Sequence, residues 1–458
     1  MPLYILAGIA GFVWLISLSA LVRRGSISRY RLLQVALWVT VLSGSAITVL
    51  RRVALHAEAS AVVAASTGLL LFVGAVAFLA HRRGGGGRNL ALLVVSVLLL
   101  ATELVYLFVA GGPISDHFQE ISALAFLPLF IYLVYQSGAS AEQLLRLAGT
   151  AAVFVVVGSV ILGFMGADLA YSHNFSDVRR ISLPGVPWRL GGFAPHPNLL
   201  SVTALFAIIL AFANRFRWRW PILVVSLVAL AMAESRVAIV SLGIIAIVAW
   251  IFRGGSALGR AILSLPAIAV LAFFIIDAIP SDDAGVLTAD VTTNGRFRIW
   301  DLVSQQFLAN PLEGFGPLAF QPDSGSPYLA AGLLHAHNQI FQAIAETGLI
   351  GGTLTVALFI IFAALAFKRP IRPVYPALAA AFFASSPTEP FLSLHLFGMN
   401  YNVVPALLFL TAIMSSAVRT ETVISSLPGT GQLRQPPRSS TPTTRLAPLT
   451  RVGPGTIG

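Results

Sequence analysis

Long apolar runs separated by short polar segments dominate the hydrophobic pattern of this chain. They lie at 2–22, 33–50, 60–80, 90–110, 119–135, 147–167, 199–213, 221–234, 237–252, 261–279, 348–367, 374–386 and 402–418. A helix needs roughly 20 apolar residues to cross a bilayer, and most of these runs approach that length. Because the runs are continuously apolar, they predict helices rather than the alternating strands of a barrel. The predicted fold class is therefore all-α, a polytopic membrane bundle of about 12–13 transmembrane helices.

Composition agrees with a membrane protein. Of the 458 residues, 57% are hydrophobic and 10% are charged, and the mean hydropathy of +0.85 is far above that of soluble domains. The chain contains no cysteine, which excludes disulfides and thiolate metal sites. A net charge of +11 could suit a nucleic-acid partner, but the distribution of the charge argues against one.

Most basic residues occupy the short segments between alternate apolar runs. Cytoplasmic loops carry the excess of Lys and Arg in membrane proteins, so these segments and the C-terminus are predicted to face the cytoplasm. An odd number of spans would then place the N-terminus outside, with residues 1–22 as a first span rather than a signal peptide. The basic residues left on the outer side are Arg51, Arg52, Arg179, Arg180, Arg189, Arg236, Arg296 and Arg298.

This topology predicts one membrane-embedded domain over 1–418, with large outward loops at about 168–198 and 280–347. The larger loop is expected to carry short amphipathic helices. Residues 419–458 are rich in Pro, Ser, Thr and Arg. Such a composition cannot bury a core, which predicts a disordered cytoplasmic tail.

Arginines near the outer surface are the first candidates for function. Arg236 lies in "AESRVAIV" between two apolar runs with almost no loop around it. A charge held at the membrane surface is costly, so a functional role is the default hypothesis. The alternatives are that Arg236 extends to the lipid headgroups or pairs with Glu234.

The segment "FRIWDLVSQQFLA" at 297–309 is amphipathic at helical spacing and should lie flat on the outer surface. Its apolar face carries Ile299, Leu302, Val303 and Phe307. Arg296 and Trp300 share a face at i and i+4, while Arg298 points elsewhere, which favours Arg296 as the inward arginine. The alternative for this pair is a headgroup anchor.

The segment "WRLGGFAPHPNLLS" at 188–201 leads into an apolar run. Pro195 and Pro197 are expected to prevent regular helix before Asn198, which would cap the span and present free N–H groups outward. A helix N-terminus suits an anionic ligand, and Arg189 is close in sequence. His196 is interpreted as a loop histidine.

Two histidines and an asparagine precede another apolar run in "LLHAHNQIFQAIAETGLIGG" at 333–352. Asn338 is predicted to cap a helix that carries Ile340, Phe341 and Ile344 on one face, and Gly348 to stop it. His337 would then lie at the outer membrane surface, where an imidazole can act as a general base or be only an interfacial side chain.

Metal binding is weakly indicated. His335 and His337 supply only two ligands, and no thiolate is available to complete a soft site. The paired carboxylates of Asp282 and Asp283 are a weak candidate for Mg²⁺, because two loop carboxylates are usually just solvated. The sequence therefore predicts neither a metal nor a cofactor.

Four of these pieces, "RLGGFAPHPN", "ESRVA", "GRFRIWDLVSQQFLANPLEGFG" and "HAHNQIFQAIAETGLIGG", resemble in that order the O-antigen ligase and polymerase family of bacterial membrane glycosyltransferases. The resemblance covers roughly residues 185–370. Each piece alone is weak, and their order around one large outward loop makes the resemblance specific. An apparent extra N-terminal span departs from the twelve usual in the family and leaves the N-terminal topology open.

The resemblance implies a metal-independent glycosyltransferase of the bacterial inner membrane, with its site facing outward. The donor would be a polyprenyl-diphosphate-linked oligosaccharide and the acceptor a hydroxyl of a glycan or glycolipid, with envelope-assembly proteins as further partners. Arg236 and Arg296 would bind the diphosphate, with Arg189 and Arg298 as further candidates, and His337 would deprotonate the acceptor. The supporting residues would be Asn338, His335, Trp300, Glu346 and Asn198.

Arginine suits this chemistry independently of the resemblance, since forked guanidinium donors stabilise the charge that grows on a leaving diphosphate. The motifs do not separate a ligase from a repeat-unit polymerase. A transporter or flippase of lipid-linked glycans is the alternative function, although it would place charges along a midplane pathway, which most spans lack. A scaffold for envelope assembly is a third class and predicts that changing His337 leaves product unaffected.

Overall fold

The structure is a computed structural model. It describes residues 16–25, 27–52, 72–77, 126–166, 168–171, 189–252, 296–315, 319–320, 336–368, 372–387 and 403–417, with single positions at 62, 65, 69, 79 and 94. The helices are α1 (Arg29–Arg52), α2 (Phe126–Gln136), α3 (Ala141–Phe164), α4 (Pro197–Ala213), α5 (Arg219–Ala233), α6 (Arg236–Ile251), α7 (Arg296–Ala309), α8 (Gln339–Ala366), α9 (Val374–Ser385) and α10 (Val403–Met414). All of them belong to one unit, Met1–Arg419.

The predicted all-α class is confirmed over the described residues, where the only β pairing is an isolated bridge between Tyr171 and Leu190. Three helices, α1, α3 and α8, are long and apolar enough to cross a membrane, and α4, α5, α6, α9 and α10 are shorter apolar helices. These helices match the predicted runs to within a few residues at most ends. The run at 261–279, most of the runs at 2–22, 60–80 and 90–110, and the tail lie outside the described residues. The full span count therefore stays a prediction.

An aromatic cluster lies at the centre of the bundle, where α4, α8, α9 and α10 meet. Phe382 stacks on Phe409 with ring centroids 4.3 Å apart, and Phe362 meets Phe409 edge-on at 5.2 Å. Phe206 stacks on the same ring at 6.0 Å. All four side chains are fully buried, so these helices are joined by ring packing that contributes on the order of 1 kcal/mol per pair beyond area burial.

Contacts between helix ends show which of them lie together at each end of the bundle. At one end Arg29 reaches Gln136 at 3.3 Å, Asn214 donates to the Leu145 carbonyl at 2.9 Å, and Tyr375 meets Ser415 at 3.0 Å. We call this the basic end, because the basic residues that flank these helices lie there: Arg29, Arg146, Arg215, Arg217, Arg219, Lys368 and Arg372. The opposite end, here the site end, comprises 168–171, 189–196, 234–235 and 336–338.

Candidate active site

His337 adopts a backbone conformation that is uncommon for a residue with a side chain. Its φ is 50°, in the left-handed region, directly before the N-cap of α8. Such conformations cost on the order of 1–3 kcal/mol and concentrate at functional sites. The imidazole is partly exposed, while its Nδ1 atom is fully buried. His337 thus presents part of its ring at the surface of the site end, with Nδ1 turned into the protein.

Asn338 supplies the predicted cap of α8. Its Oδ1 accepts the N–H groups of Ile340 at 2.9 Å and Phe341 at 3.2 Å. The side chain thus satisfies two of the four backbone N–H groups that have no partner within the helix at its start. The sharp turn from His337 into Asn338 is fixed by this cap.

Helix α7 packs against the start of α8, as its amphipathic pattern predicts. Ile299 and Val303 are buried against α8, whereas Leu308 on the opposite side is 77% exposed. Trp300 stacks on Phe341, with parallel rings 5.5 Å apart. The Trp300 Nε1 atom also donates to the Ala336 carbonyl at 3.0 Å. This contact places α7 directly on the residue that precedes His337.

A buried chain of hydrogen bonds also holds the backbone of Ala336, the residue before His337. The Ala336 N–H donates to Oε1 of Gln342 at 2.6 Å, and Gln342 donates in turn to Glu346. All three residues are buried. The predicted apolar face at Ile340, Phe341 and Ile344 is only partly buried, and the fully buried face carries Gln342 and Glu346 instead. Gln342 was missed, and its i, i+4 spacing to Glu346 was the available signal.

Gly348 interrupts α8 and separates a short first part from the longer apolar part, as predicted. Its φ of 60° and ψ of −152° are non-helical. The turn after α7 fits into this break, where the Leu349 N–H donates to the Pro311 carbonyl at 2.7 Å and the Phe315 N–H to the Ala345 carbonyl at 2.9 Å. A side chain at Gly348 would overlap the Leu312 backbone.

Contacts with α9 connect the start of α8 to the start of α6. The Gln339 N–H donates to the Ser386 carbonyl at 3.0 Å, just past the end of α9. The Oγ atoms of Ser385 and Ser241 lie 3.4 Å apart, and Ser241 is on the second turn of α6. Since Arg236 is the first residue of α6, the segments that carry His337 and Arg236 lie at the same end of the bundle.

The α5–α6 junction is sharply turned. Glu234 has a φ of 50°, so a second candidate segment contains a left-handed residue that is not glycine. Ser235 is the N-cap of α6, and its side chain makes no capping hydrogen bond. The backbone N–H groups of the first turn of α6 therefore rely on partners other than a capping side chain.

Arg189 holds the starts of α4 and α6 together. Its Nε donates to the Ala233 carbonyl at 3.0 Å, and Nη2 reaches Oδ1 of Asn198 at 3.1 Å and the Glu234 carbonyl at 3.5 Å. Arginine near a helix C-terminus satisfies orphan carbonyls and complements the helix dipole. The structure thus gives Arg189 a positioning role that was not predicted from the sequence.

The predicted cap of α4 was wrong by two residues. The helix begins at Pro197, and His196 is its N-cap, with Nδ1 accepting the Asn198 N–H at 3.1 Å. Pro is well tolerated at the first helical position, because the N–H it lacks would be unsatisfied there anyway. Asn198 lies inside the helix, where its side chain accepts from Arg189.

The loop before α4 is anchored to two other helices. Gly192 has a φ of 56°, and a Cβ there would overlap Ser159 of α3. Arg52, at the end of α1, donates to the carbonyls of Leu169, Gly192 and Ala194. Burial raises the pKa of the Tyr171 phenol, which donates to the Gly163 carbonyl at 2.8 Å. Arg52 was predicted only to face outward, and its clamping role was missed.

Several predicted site residues lie wholly or partly outside the described residues. The side chains of Arg236, Arg296 and Arg298 lie outside the described residues, as do the whole of His335 and the Asp282–Asp283 pair. Within the part of the chain that is described, no group of three or more His, Asp or Glu residues could share a metal ion. The predicted roles of the three arginines and the predicted absence of a metal stay predictions.

A comparison with protein families matches residues 221–356 to the O-antigen ligase family, Wzy_C. No curated protein matches the chain. The matched segment begins in α5, includes the α5–α6 junction, α7 and His337, and ends within α8. The "RLGGFAPHPN" piece lies before it. The match supports the resemblance drawn from the motifs over this segment, and glycan transfer in cell-surface polysaccharide assembly is the activity that similarity to this family suggests.

Proposed function

We propose that this protein transfers a glycan from a polyprenyl-diphosphate carrier to an acceptor hydroxyl at the outer face of the cytoplasmic membrane. The observation that carries the proposal is the strained His337 at the start of α8, held at the same end of the bundle as the first residue of α6, Arg236. The chemistry needs a base and a diphosphate site at one membrane surface. Both candidate segments lie within the matched family segment.

The diphosphate site is assigned to the start of α6 together with Arg236 and Arg296. The N-termini of α4, α6 and α8 all open at the site end, and helix N-termini favour bound anions through their free N–H groups and dipoles. Arg296 precedes Trp300 by one helical turn, and Trp300 contacts the residue next to His337. Arg298 is a second donor on the same helix, and Arg189 acts by holding α4 and α6 in place.

His337 is assigned the role of general base. Because Nδ1 is buried, Nε2 is the ring nitrogen proposed to take the proton of the acceptor hydroxyl. As the proton leaves, the acceptor oxygen forms a bond to the anomeric carbon and the bond from that carbon to the diphosphate oxygen breaks. The electron pair leaves with the diphosphate, whose growing charge the arginines stabilise. Attack from the face opposite the leaving group predicts inversion at the anomeric carbon.

Asn338, Trp300 and Glu346 are assigned supporting roles through the backbone. Asn338 caps α8, Trp300 binds the Ala336 carbonyl, and Glu346 accepts from the glutamine that holds the Ala336 N–H. None of these contacts requires the side chain to touch substrate. We therefore expect changes at these positions to weaken transfer by misplacing His337, rather than by removing a reacting group.

The proposal is tested by transfer with purified protein in nanodiscs, using a fluorescent polyprenyl-diphosphate oligosaccharide as donor and EDTA in every assay. Arg236→Ala and Arg296→Ala should each reduce transfer by about 10²-fold or more, because they remove charge stabilisation in the transition state. Arg217→Ala, at the basic end, is the matched control and should retain wild-type activity. A parallel wild-type reaction without EDTA is the comparison, and transfer seen only in that reaction would contradict metal independence.

Two further outcomes have defined meanings. Product formed only when a second glycan is added indicates a ligase, whereas lengthening of the labelled donor alone indicates a polymerase. Wild-type protein that moves labelled lipid across the bilayer without forming product would overturn the transferase in favour of a transporter.

A further inference from the structure

A second site candidate lies at the basic end, away from His337. A cavity of about 910 Å³ opens between α3, α4, α6 and α9, within the size range of ligand sites. Its charged lining residues are Glu142, Arg146, Arg215 and Arg372. None of them contributes to the proposed transfer.

The cavity is amphipathic along its depth. Its apolar wall on α6 runs over two turns from Leu242 to Ala249, about 10 Å, and Ile208 and Ile209 line the α4 side. The charged groups lie only at the rim, at the ends of helices. Ala246 on the wall is exposed, so the cavity opens to the surroundings of the bundle.

The rim carries a positive excess, with three arginines against one glutamate. All three arginines line the cavity together with the single carboxylate, so their guanidinium groups can meet a ligand held there. Arginine binds phosphate oxygens through paired N–H donors. A phosphate at the rim with a hydrocarbon chain in the apolar interior would satisfy both parts of the cavity.

We propose that this cavity binds an anionic phospholipid from the membrane leaflet at the basic end. The phosphate lies between Arg146, Arg215 and Arg372, and an acyl chain lies against α4 and α6. A soluble phosphate compound would leave the apolar wall unfilled. A zwitterionic lipid would bring a further positive charge to an already positive rim. The proposal concerns a different site from the transfer chemistry and does not depend on it.

Native mass spectrometry of the full-length protein in detergent tests this proposal, with dioleoyl phosphatidylglycerol as probe and dioleoyl phosphatidylcholine as comparison. We expect tighter binding of phosphatidylglycerol. Each basic residue near an anionic headgroup contributes roughly a five-fold gain in affinity, so Arg146→Gln/Arg215→Gln/Arg372→Gln should weaken binding by about 100-fold.

The matched control removes the same charge from the same end but outside the cavity, in Arg217→Gln/Arg219→Gln/Lys368→Gln, and should weaken binding much less. Ala246→Trp leaves the charge unchanged and fills the wall at an exposed position, so it should also block binding. This variant decides the question alone if the cavity triple variant does not fold.

Three results would overturn the proposal. Equal losses in the two triple variants would indicate general attraction to the basic end. Unchanged binding in Ala246→Trp would exclude the cavity, and displacement of the lipid by glycerol 1-phosphate would indicate a soluble phosphate ligand instead.

Discussion

At the scale of the residue, the candidate site depends on residues whose backbone adopts a costly conformation. His337 and Glu234 both have φ of 50°, and each adjoins the start of a helix assigned to the site. His and Asn tolerate this conformation better than Ala does. An alanine substitution at His337 would therefore change the backbone as well as remove the imidazole, and Asn is the cleaner replacement.

We expect His337→Asn to reduce transfer by about 10²–10⁴-fold, the usual contribution of a general base, with little change in thermal stability. The matched control is His196→Asn. His196 caps α4 through Nδ1, and Asn is a preferred N-cap, so this variant should keep both fold and activity. Transfer assays and thermal unfolding on both proteins make the comparison. Wild-type activity in His337→Asn would rule out His337 as the base.

The buried polar chain beneath His337 makes a second residue-scale prediction. Gln342→Leu leaves the buried Ala336 N–H without its acceptor, and we expect a loss of about 2 kcal/mol in stability. Because Glu346 also loses its donor, Gln342→Leu/Glu346→Leu should cost less than the sum of the single variants. Unfolding measurements on the four proteins of this cycle test the coupling, and strict additivity would contradict it.

At the scale of the element, helices could be predicted from the sequence wherever one physical rule was sufficient. Continuous apolar runs located α1, α3 and α4, and the spacing of Ile299 and Val303 located the buried face of α7. Partners across the chain could not be predicted this way. Arg189 is an example, because its guanidinium donates to the Ala233 carbonyl, which lies 44 residues later in the chain.

The break in α8 carries a prediction about how α7 is docked. Gly348→Ala should destabilise the protein by several kcal/mol, because it adds both left-handed strain and a clash with the Leu312 backbone. Gly138→Ala is the matched control, since Gly138 has φ of 61° and open space around it. That variant should lose only about 1 kcal/mol. Equal losses on thermal unfolding would show that the turn at 311–315 is not packed into the break.

At the scale of the whole molecule, the candidate site is assembled from segments far apart in sequence. Arg52, Arg189, Ser241 and Ser386 each join one helix end to another at the site end. The distribution of basic residues predicted that the loops carrying the candidate site residues would lie on one side of the membrane. The structure places the described parts of these loops at one end of the bundle. Which end faces the cytoplasm depends on the positive-inside tendency and stays a prediction.

The absence of cysteine allows a direct test of this orientation, since an introduced cysteine would be the only thiol in the chain. Gln305→Cys places one on the exposed side of α7 at the site end, and Arg217→Cys places one at the basic end. In spheroplasts, a membrane-impermeant maleimide should label position 305 directly and position 217 only after permeabilisation. The reverse pattern would put His337 on the cytoplasmic side and contradict transfer at the outer face.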